Sequence, residues 1–515
     1  MPRLTRGAGN FLLVIAVLAI VAGGYTAVQR GWFGIGTSNQ AAPAGPVTVA
    51  TGETIDPINV HVVTWWGCAG GVLANNGFSP NEDCDYYRKH NILVKFNLID
   101  VLPNSWDAWK TGEIDILAYT AESLAPLLPI LWDYDPVVFF SEDRSQGGDV
   151  ILAREGINSM VDLRGRQVVY CQDAPSQSVL LHALDAANMT LDDIIPITTD
   201  DVILAGNMFE ADPEIAAAAV WSPEDARIMA ADPRVHVLFS TKDADHIIFD
   251  VMLVKRDWYE ANFDEVVAFL EGWFGGVARI YNNPADKRKA LQLMADGTGL
   301  GVDFFKDTAD GFHLNTYGDN VNIFNLNGNY QGVTAKDVYE ETAALYQRID
   351  RVGNDLPLWR RISDTKALRA LSHLRGPGYD ATEVSRFSKA GPEKRTEREI
   401  TSKPVTVNFG FDSNELDANA RNIIDAEFGD QAQMFGNMYI RIVGNTDSVG
   451  DYQYNVRLSE QRAQAVADYL AARYHIDRYR FIIIGNGPNN PVANNNTDAG
   501  KTRNRRTDFE LVRRD

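Results

Sequence analysis

Residues 444–463 read GNTDSVGDYQYNVRLSEQRA. The first half is small and polar and is punctuated by Gly444 and Gly450, which marks a loop. In the second half Leu458 opens a series that Val466, Tyr469 and Leu470 continue at helical spacing, so a helix is expected over 456–474 with Asn455 as its amino-terminal cap. Just before the loop, Met438, Ile440 and Ile442 alternate with polar neighbours, and alternation of that period is the mark of a strand. Working outward, 405–412 alternates as a strand, 415–428 suits a helix, and 478–485 and 507–512 supply two further strands. The expected order is βαβαββ, an α+β domain over 405–515.

The residues of this stretch resemble the OmpA-like peptidoglycan-binding domain. Gly444, Thr446, Asp447, Gly450, Tyr454, Asn455, Leu458, Ser459, Arg462 and Ala463 stand at the positions of the family phrase, and Asn495, Thr497, Gly500, Asn504, Arg505 and Arg506 at those of its closing phrase. Two positions depart from it: Lys501, where arginine is usual, and Asn445, often histidine. The resemblance implies that Asp447 and Arg462 hold the diaminopimelate of a peptidoglycan stem peptide, with Thr446, Asn455 and Leu458 around them. The chemistry agrees, because a free amino-acid end carries an ammonium and a carboxylate and needs one acid and one guanidinium close together. The competing reading is an Asx-turn at Asp447 and a solvated helix charge at Arg462.

Upstream, β-branched runs at 59–64, 92–99, 114–119, 150–153, 167–170 and 216–221 alternate with helix-compatible segments such as AESLAPLLPIL and 176–188. Such alternation implies an α/β fold with a parallel sheet. The phrases GEIDILAYTAESL, SQGGDVILAREGINSMVDLRGRQVVY, APSQSVLLHALDAANMTLDDI and AAAAVWSPEDARI resemble, in their order and spacing, the type 2 periplasmic solute-binding proteins of the nitrate, sulfonate, taurine and thiamine-precursor group. That resemblance covers 57–358 and implies two α/β lobes, joined by a hinge, that close on a small ligand.

In a doubly wound sheet, ligands sit beyond the carboxyl ends of strands, at helix amino termini. The candidates are therefore Trp65 and Trp66 after the first strand, Thr120 and Glu122, Ser176 and Ser178, Trp221 and Glu224, and Asp250 inside the apolar run IIFDVMLV. Each has a structural counterpart: a core tryptophan, an ordinary serine cap, an aspartate that satisfies backbone donors. The acids Glu122, Asp173 and Glu224 favour an amine or a zwitterion over a simple dianion.

No charge falls between Arg6 and Arg30, and FLLVIAVLAIVAGGYTAV at 11–28 is long enough, as a helix, to cross a hydrocarbon layer of about 30 Å. Residues 1–30 are expected to be a cytoplasmic tip and transmembrane anchor, oriented by Arg3 and Arg6. The alternative is a cleaved signal peptide that leaves a soluble periplasmic protein. Residues 31–56, small and Pro/Gly-rich, read as a linker, and 359–404, crowded with charges of both signs, as a second one on which the C-terminal domain stands away from the membrane.

The 515 residues carry 48 Lys and Arg against 69 Asp and Glu, a net charge of −21, and no basic patch opposes it, so a nucleic-acid partner is not expected. The three cysteines form no CxxC pair, which removes the usual support for a metal site. Cys68 and Cys84 could close a loop as one disulfide, or stand as two buried thiols. No nucleophile with its base and no phosphate loop is present, so the expectation is a binding protein without cofactors and not an enzyme. It would sit in the inner membrane, hold a solute and peptidoglycan, and serve an ABC-type permease. The alternative is a membrane-to-wall tether whose solute-binding fold has lost its pocket.

Overall fold

The computed structural model describes residues 43–382, 387–407, 409 and 413–514. The apolar segment 11–28 lies outside the described residues, and among those described no helix is long and apolar enough to cross a membrane.

From residue 58 the chain builds two lobes. The first opens with β1 (Ile58–Val62), followed by α1 (Ala69–Asn75), β2 (Val94–Leu98), β3 (Leu117–Thr120), α2 (Leu124–Leu131) and β4 (Pro136–Ser145). The chain then crosses to the second lobe, with β5 (Asp149–Ala153), β6 (Gln167–Cys171), α3 (Pro175–Ala186), β7 (Ile195–Thr199), β8 (Ile215–Trp221) and β9 (His236–Ser240). It returns through β10 (Phe249–Lys255), α4 (Phe263–Asn282), β11 (Phe312–Leu314) and α5 (Ala335–Arg348). The first-lobe sheet has the order β11-β4-β10-β3 with β1-β2 beside it, and the second lobe β9-β5-β8-β6-β7.

The four-stranded sheet of the first lobe is antiparallel throughout with the parallel pair β1-β2 beside it, and that of the second lobe is mixed, where the sequence pattern implied parallel ones. β8 runs parallel to β6 but antiparallel to β5, and β10 is antiparallel to both its neighbours. The strands that break the parallel rule are those by which the chain changes lobes. One side chain fastens the two crossings together. Thr241 Oγ1 lies 2.7 Å from Ser145 Oγ and accepts from the amides of Gly147 at 2.8 Å and Asp149 at 3.3 Å.

Both expected linkers are partly structured. Residues 47–48 and 54–55 form a short hairpin with Val49 buried. In 359–404, Trp359–Ile362 and Lys366–Ala370 are helices whose Trp359, Ile362, Leu368 and neighbouring Leu371 are buried in the first lobe. Thr401–Val405 is already the edge strand of the last sheet. Charge crowding there reflects pairing across surfaces and not a free chain: Arg398 Nη2 bonds Asp162 at 2.7 Å and Lys403 Nζ lies 3.3 Å from Asp185.

The C-terminal domain consists of β12 (Thr401–Val405), helical turns from Ala418 to Met434, β13 (Met438–Asn445), α6 (Tyr452–Arg473), β14 (Phe481–Gly487), a short helix Asp498–Asn504 and β15 (Thr507–Arg513), in sheet order β12-β15-β13-β14. The short helix before β15 and the earlier start of β12 are the departures from the expected βαβαββ. Its face packs on the second lobe, contrary to an independent outrigger. Phe435 lies against Phe239 with ring centroids 5.6 Å apart, and Arg513 Nη2 donates to Leu238 O at 2.9 Å.

Candidate functional site

β13 is buried throughout and delivers its last residues to the sheet edge where the loop begins. Gly444 is required there, since a Cβ would stand 2.1 Å from Ser459 O of α6. The helix is capped four residues earlier than expected: Asp451, not Asn455, accepts from Tyr454 N at 2.8 Å. Asn455 sits buried in the first turn and ties the loop, its Nδ2 donating to Val449 O at 2.9 Å. Thr446 is turned inward, its hydroxyl donating to Asp447 O at 2.9 Å.

Asp447 does close an Asx-turn, with Oδ1 accepting from Val449 N at 2.9 Å. Its Oδ2 accepts from Arg505 Nη1 at 2.6 Å. The family's closing phrase thereby acquires a physical task, because Asn504 and Asn495 hold the neighbouring loop in place: Asn504 Nδ2 donates to Asn495 Oδ1 at 2.8 Å, and Asn495 Oδ1 accepts from Ser448 N at 3.3 Å. Arg462, three turns into α6, donates from Nε to Ser413 O at 3.1 Å and lays its guanidinium 4.9 Å from the Phe409 ring centroid. Leu458 is half-buried one turn before it. The loop and helix thus carry an acid and a guanidinium with partly exposed side chains.

Between the lobes, Trp65, Trp66, Ser222, Phe304, Phe305 and Phe312 line a crevice whose walls leave no room for a water molecule. Trp65 donates from Nε1 to Asp143 Oδ2 at 2.9 Å and meets Phe312 edge-on at 4.2 Å. Trp221 is half-buried at the end of β8, paired with Asp149.

Several expected ligand groups are satisfied by the protein itself. Ser176 Oγ both accepts from Cys171 N and donates to Cys171 O, each at 3.1 Å, and Ala174 holds the N-cap position of α3. Ser178 is buried 3.2 Å from Tyr346 Oη and 3.4 Å from Ser123 Oγ. Glu224 receives two bonds from Arg227, at 2.9 and 2.7 Å. In this structure all three are engaged in contacts within the protein. Of the two readings of Cys68 and Cys84, the structure has the second. Cys68 and Cys84 are free buried thiols, Cys68 donating to Trp65 O and Cys84 capping a helix by accepting from Tyr87 N at 3.4 Å.

Thr120, Glu122 and Asp250 do converge, since Asp250 pairs in register with Thr120 on β3 and with Asp143 on β4. Burial pushes the Glu122 carboxyl up to about 8. Sequence reasoning passed over Glu142, Asp143, Asp149 and Asp225, all buried. The signal was present as acids inside the apolar run VVFFSEDRSQGGDVILA. Burial pushes Asp149 up to about 7 and raises Glu142 and Asp250 far above the carboxylate range, neighbouring carboxyls adding to it.

The OmpA family model matches residues 408–505, and the NMT1/THI5-like model matches 143–287. Outer membrane protein A of Bordetella avium is 36% identical over 136 residues, 26% of this chain and 68% of that protein. The peptidoglycan-binding protein ArfA of Mycobacterium tuberculosis is 34% identical over 110 residues, 21% of this chain, and the chain spans about a third of its length, 32%. Among solved structures, the periplasmic aliphatic sulphonate binding protein SsuA from Escherichia coli aligns over 60% of this chain and 98% of its own, with 20% identity and a TM-score of 0.46. The periplasmic nitrate-binding protein NrtA from Synechocystis aligns over 64% and 90%, with 10% identity and a TM-score of 0.48. The N-terminal region carries a match to the NMT1/THI5-like model, and through its C-terminal region the chain belongs to the OmpA family.

Proposed function

We propose that this protein works in the bacterial envelope as a binder with two grips, one for peptidoglycan and one for a small solute, and that 11–28 anchors it in the inner membrane. In the C-terminal domain Asp447 takes the ammonium and Arg462 the carboxylate of a diaminopimelate residue, with Thr446, Asn455 and Leu458 shaping the contact. The observation that carries this reading is the placement of Asp447 on a loop fixed by Asn455, Asn495 and Arg505, beside a helix that presents Arg462. The solute would be handed to an ABC-type permease. Burial pushes the Cys171 thiol up to about 12, which leaves it a poor nucleophile.

Co-sedimentation of the full chain with purified sacculi tests the wall grip. Asp447→Ala and Arg462→Ala are each expected to leave the protein in the supernatant with an unchanged melting temperature, and undiminished sedimentation of both would refute it.

A second reading, a membrane-to-wall tether with a spent pocket, is favoured by one observation. Ser176, Ser178 and Glu224 are occupied within the protein, and the crevice between the lobes is shut.

A further inference from the structure

Six acids surround the place where the chain changes lobes. Glu122 follows β3, Glu142 and Asp143 end β4, Asp149 starts β5, Asp225 follows β8, and Asp250 lies on β10. Each is at least nine-tenths buried. Among the described residues, and apart from a carboxyl–carboxyl contact between Asp143 and Asp250, Glu122 Oε2, Glu142 Oε2, Asp143 Oδ1, Asp225 Oδ1, Asp250 Oδ2 and both oxygens of Asp149 have no hydrogen-bond partner. Buried carboxyl oxygens without donors are costly, so a set of seven on one fold calls for donors from elsewhere.

Two of these acids bond residues that line the crevice. Asp143 bonds the Trp65 indole that walls it, and Asp225 is bonded to Ser222 on its opposite side. No lysine or arginine lines that crevice, so an anion would find no opposite charge there. Its aromatic walls suit an alkyl chain and a cation over a ring face. Among the described residues no group of acids is arranged to hold a metal ion. The acceptors lie along β3, β4, β5 and β10 at the two crossings, which matches an extended ligand with several N–H groups.

We propose that the cleft between the lobes takes an aliphatic di- or polyamine, whose ammonium N–H groups complete the unpartnered oxygens of Glu122, Asp143, Asp149 and Asp250 while its alkyl chain lies against Trp65 and Phe312. The assignment rests on the reading of the two lobes as a solute-binding cleft, and it names the ligand class of that cleft. Entry requires the lobes to part about the crossings that Thr241 fastens.

Calorimetric and thermal-shift titration of the full chain at pH 8 with 1,4-diaminobutane, tetramethylammonium, magnesium, ethanesulfonate and nitrate tests it. Saturable binding of 1,4-diaminobutane, a melting temperature raised by about 3 °C or more at saturation, and at least tenfold weaker binding to Asp149→Asn support the proposal. If that variant does not fold, Asp250→Asn is read in its place. Tetramethylammonium, which lacks N–H donors, is expected to bind at least tenfold more weakly. Equal binding of tetramethylammonium, or preferential binding of magnesium, overturns the amine assignment. Saturation by ethanesulfonate or nitrate with no response to the diamine overturns it as well but leaves the solute-binding reading standing. Saturation by none of the five overturns both.

Discussion

Arg505 Nη1 donates to Asp447 Oδ2 at 2.6 Å, so the acid proposed to take a ligand's ammonium is already holding a guanidinium of its own domain. The pair is unequal, with the Arg505 side chain 44% exposed and that of Asp447 13%. An exposed arginine can swing away at little cost, because such pairs contribute about 1 kcal/mol or less. The acid, fixed by its Asx-turn to Val449, stays in place. Arg505 therefore helps to hold the carboxylate in its orientation.

If so, the two partners differ in consequence. Asp447→Ala is expected to abolish retention on sacculi, whereas Arg505→Ala changes it by no more than about threefold. Equal losses in a quantitative sedimentation series would make Arg505 part of the ligand contact itself.

Arg462→Lys separates charge from shape at the second pole. Lysine keeps the charge but lacks the planar fork and its bidentate contact to a carboxylate, so affinity for sacculi is expected to fall about tenfold or more with the melting temperature unchanged. Wild-type affinity in this variant would mean that a point charge suffices.

Glu122 gives the protein a defined response to pH. Its carboxyl titrates near 4.5 in the unfolded chain and at about 8 when folded, burial being the cause. Between those values the folded state keeps a proton that the unfolded state has released. Its stabilising contribution is therefore at its fullest below pH 4.5, declines as pH rises, and is gone beyond pH 8, with a slope of at most about 1.4 kcal/mol per pH unit. Asp149, raised from 3.8 to about 7, adds to the same decline over its own window. Melting temperature is expected to fall from pH 5 to pH 8, and Glu122→Gln to flatten that fall. A flat wild-type profile would contradict the buried, protonated state.

The docking of the C-terminal domain on the second lobe depends on apolar contact as well as charge. Phe435 is fully buried against Phe239, and Phe435→Ala is expected to destabilise the protein by about 3 to 5 kcal/mol. Chemical denaturation would then show the C-terminal domain unfolding before the lobes, where the wild type unfolds in one transition.

The sequence made the C-terminal domain legible because its loop and helix are local: Gly444, Asp447 and Leu458 lie within fifteen residues, and helical spacing exposes the register. The cap at Asp451 was misplaced by four residues, since Asp and Asn are equally good caps and only the tertiary tie from Asn455 to Val449 decides between them. Six strands of the lobes were read correctly, whereas those at 136–145, 195–199, 236–240 and 312–314 were not read, nor was the direction of the strands, because direction is set by which strand the chain uses to cross. The cleft was least legible. Ser176 and Ser178 have the look of an anion cradle, yet whether a hydroxyl turns to a ligand or to Cys171 and Tyr346 depends on residues up to 170 positions away. The docked interface was hidden for the same reason: charges such as Arg398 and Lys403, which look solvated in sequence, find partners at Asp162 and Asp185 in another domain.

The most direct measurement is a calorimetric titration of the full chain with a stem tripeptide ending in meso-diaminopimelate, run beside Asp447→Ala. One-to-one saturation by the wild type and none by the variant is the predicted result. Equal heats from both proteins, or no binding to either, would contradict the two-pole grip at Asp447 and Arg462.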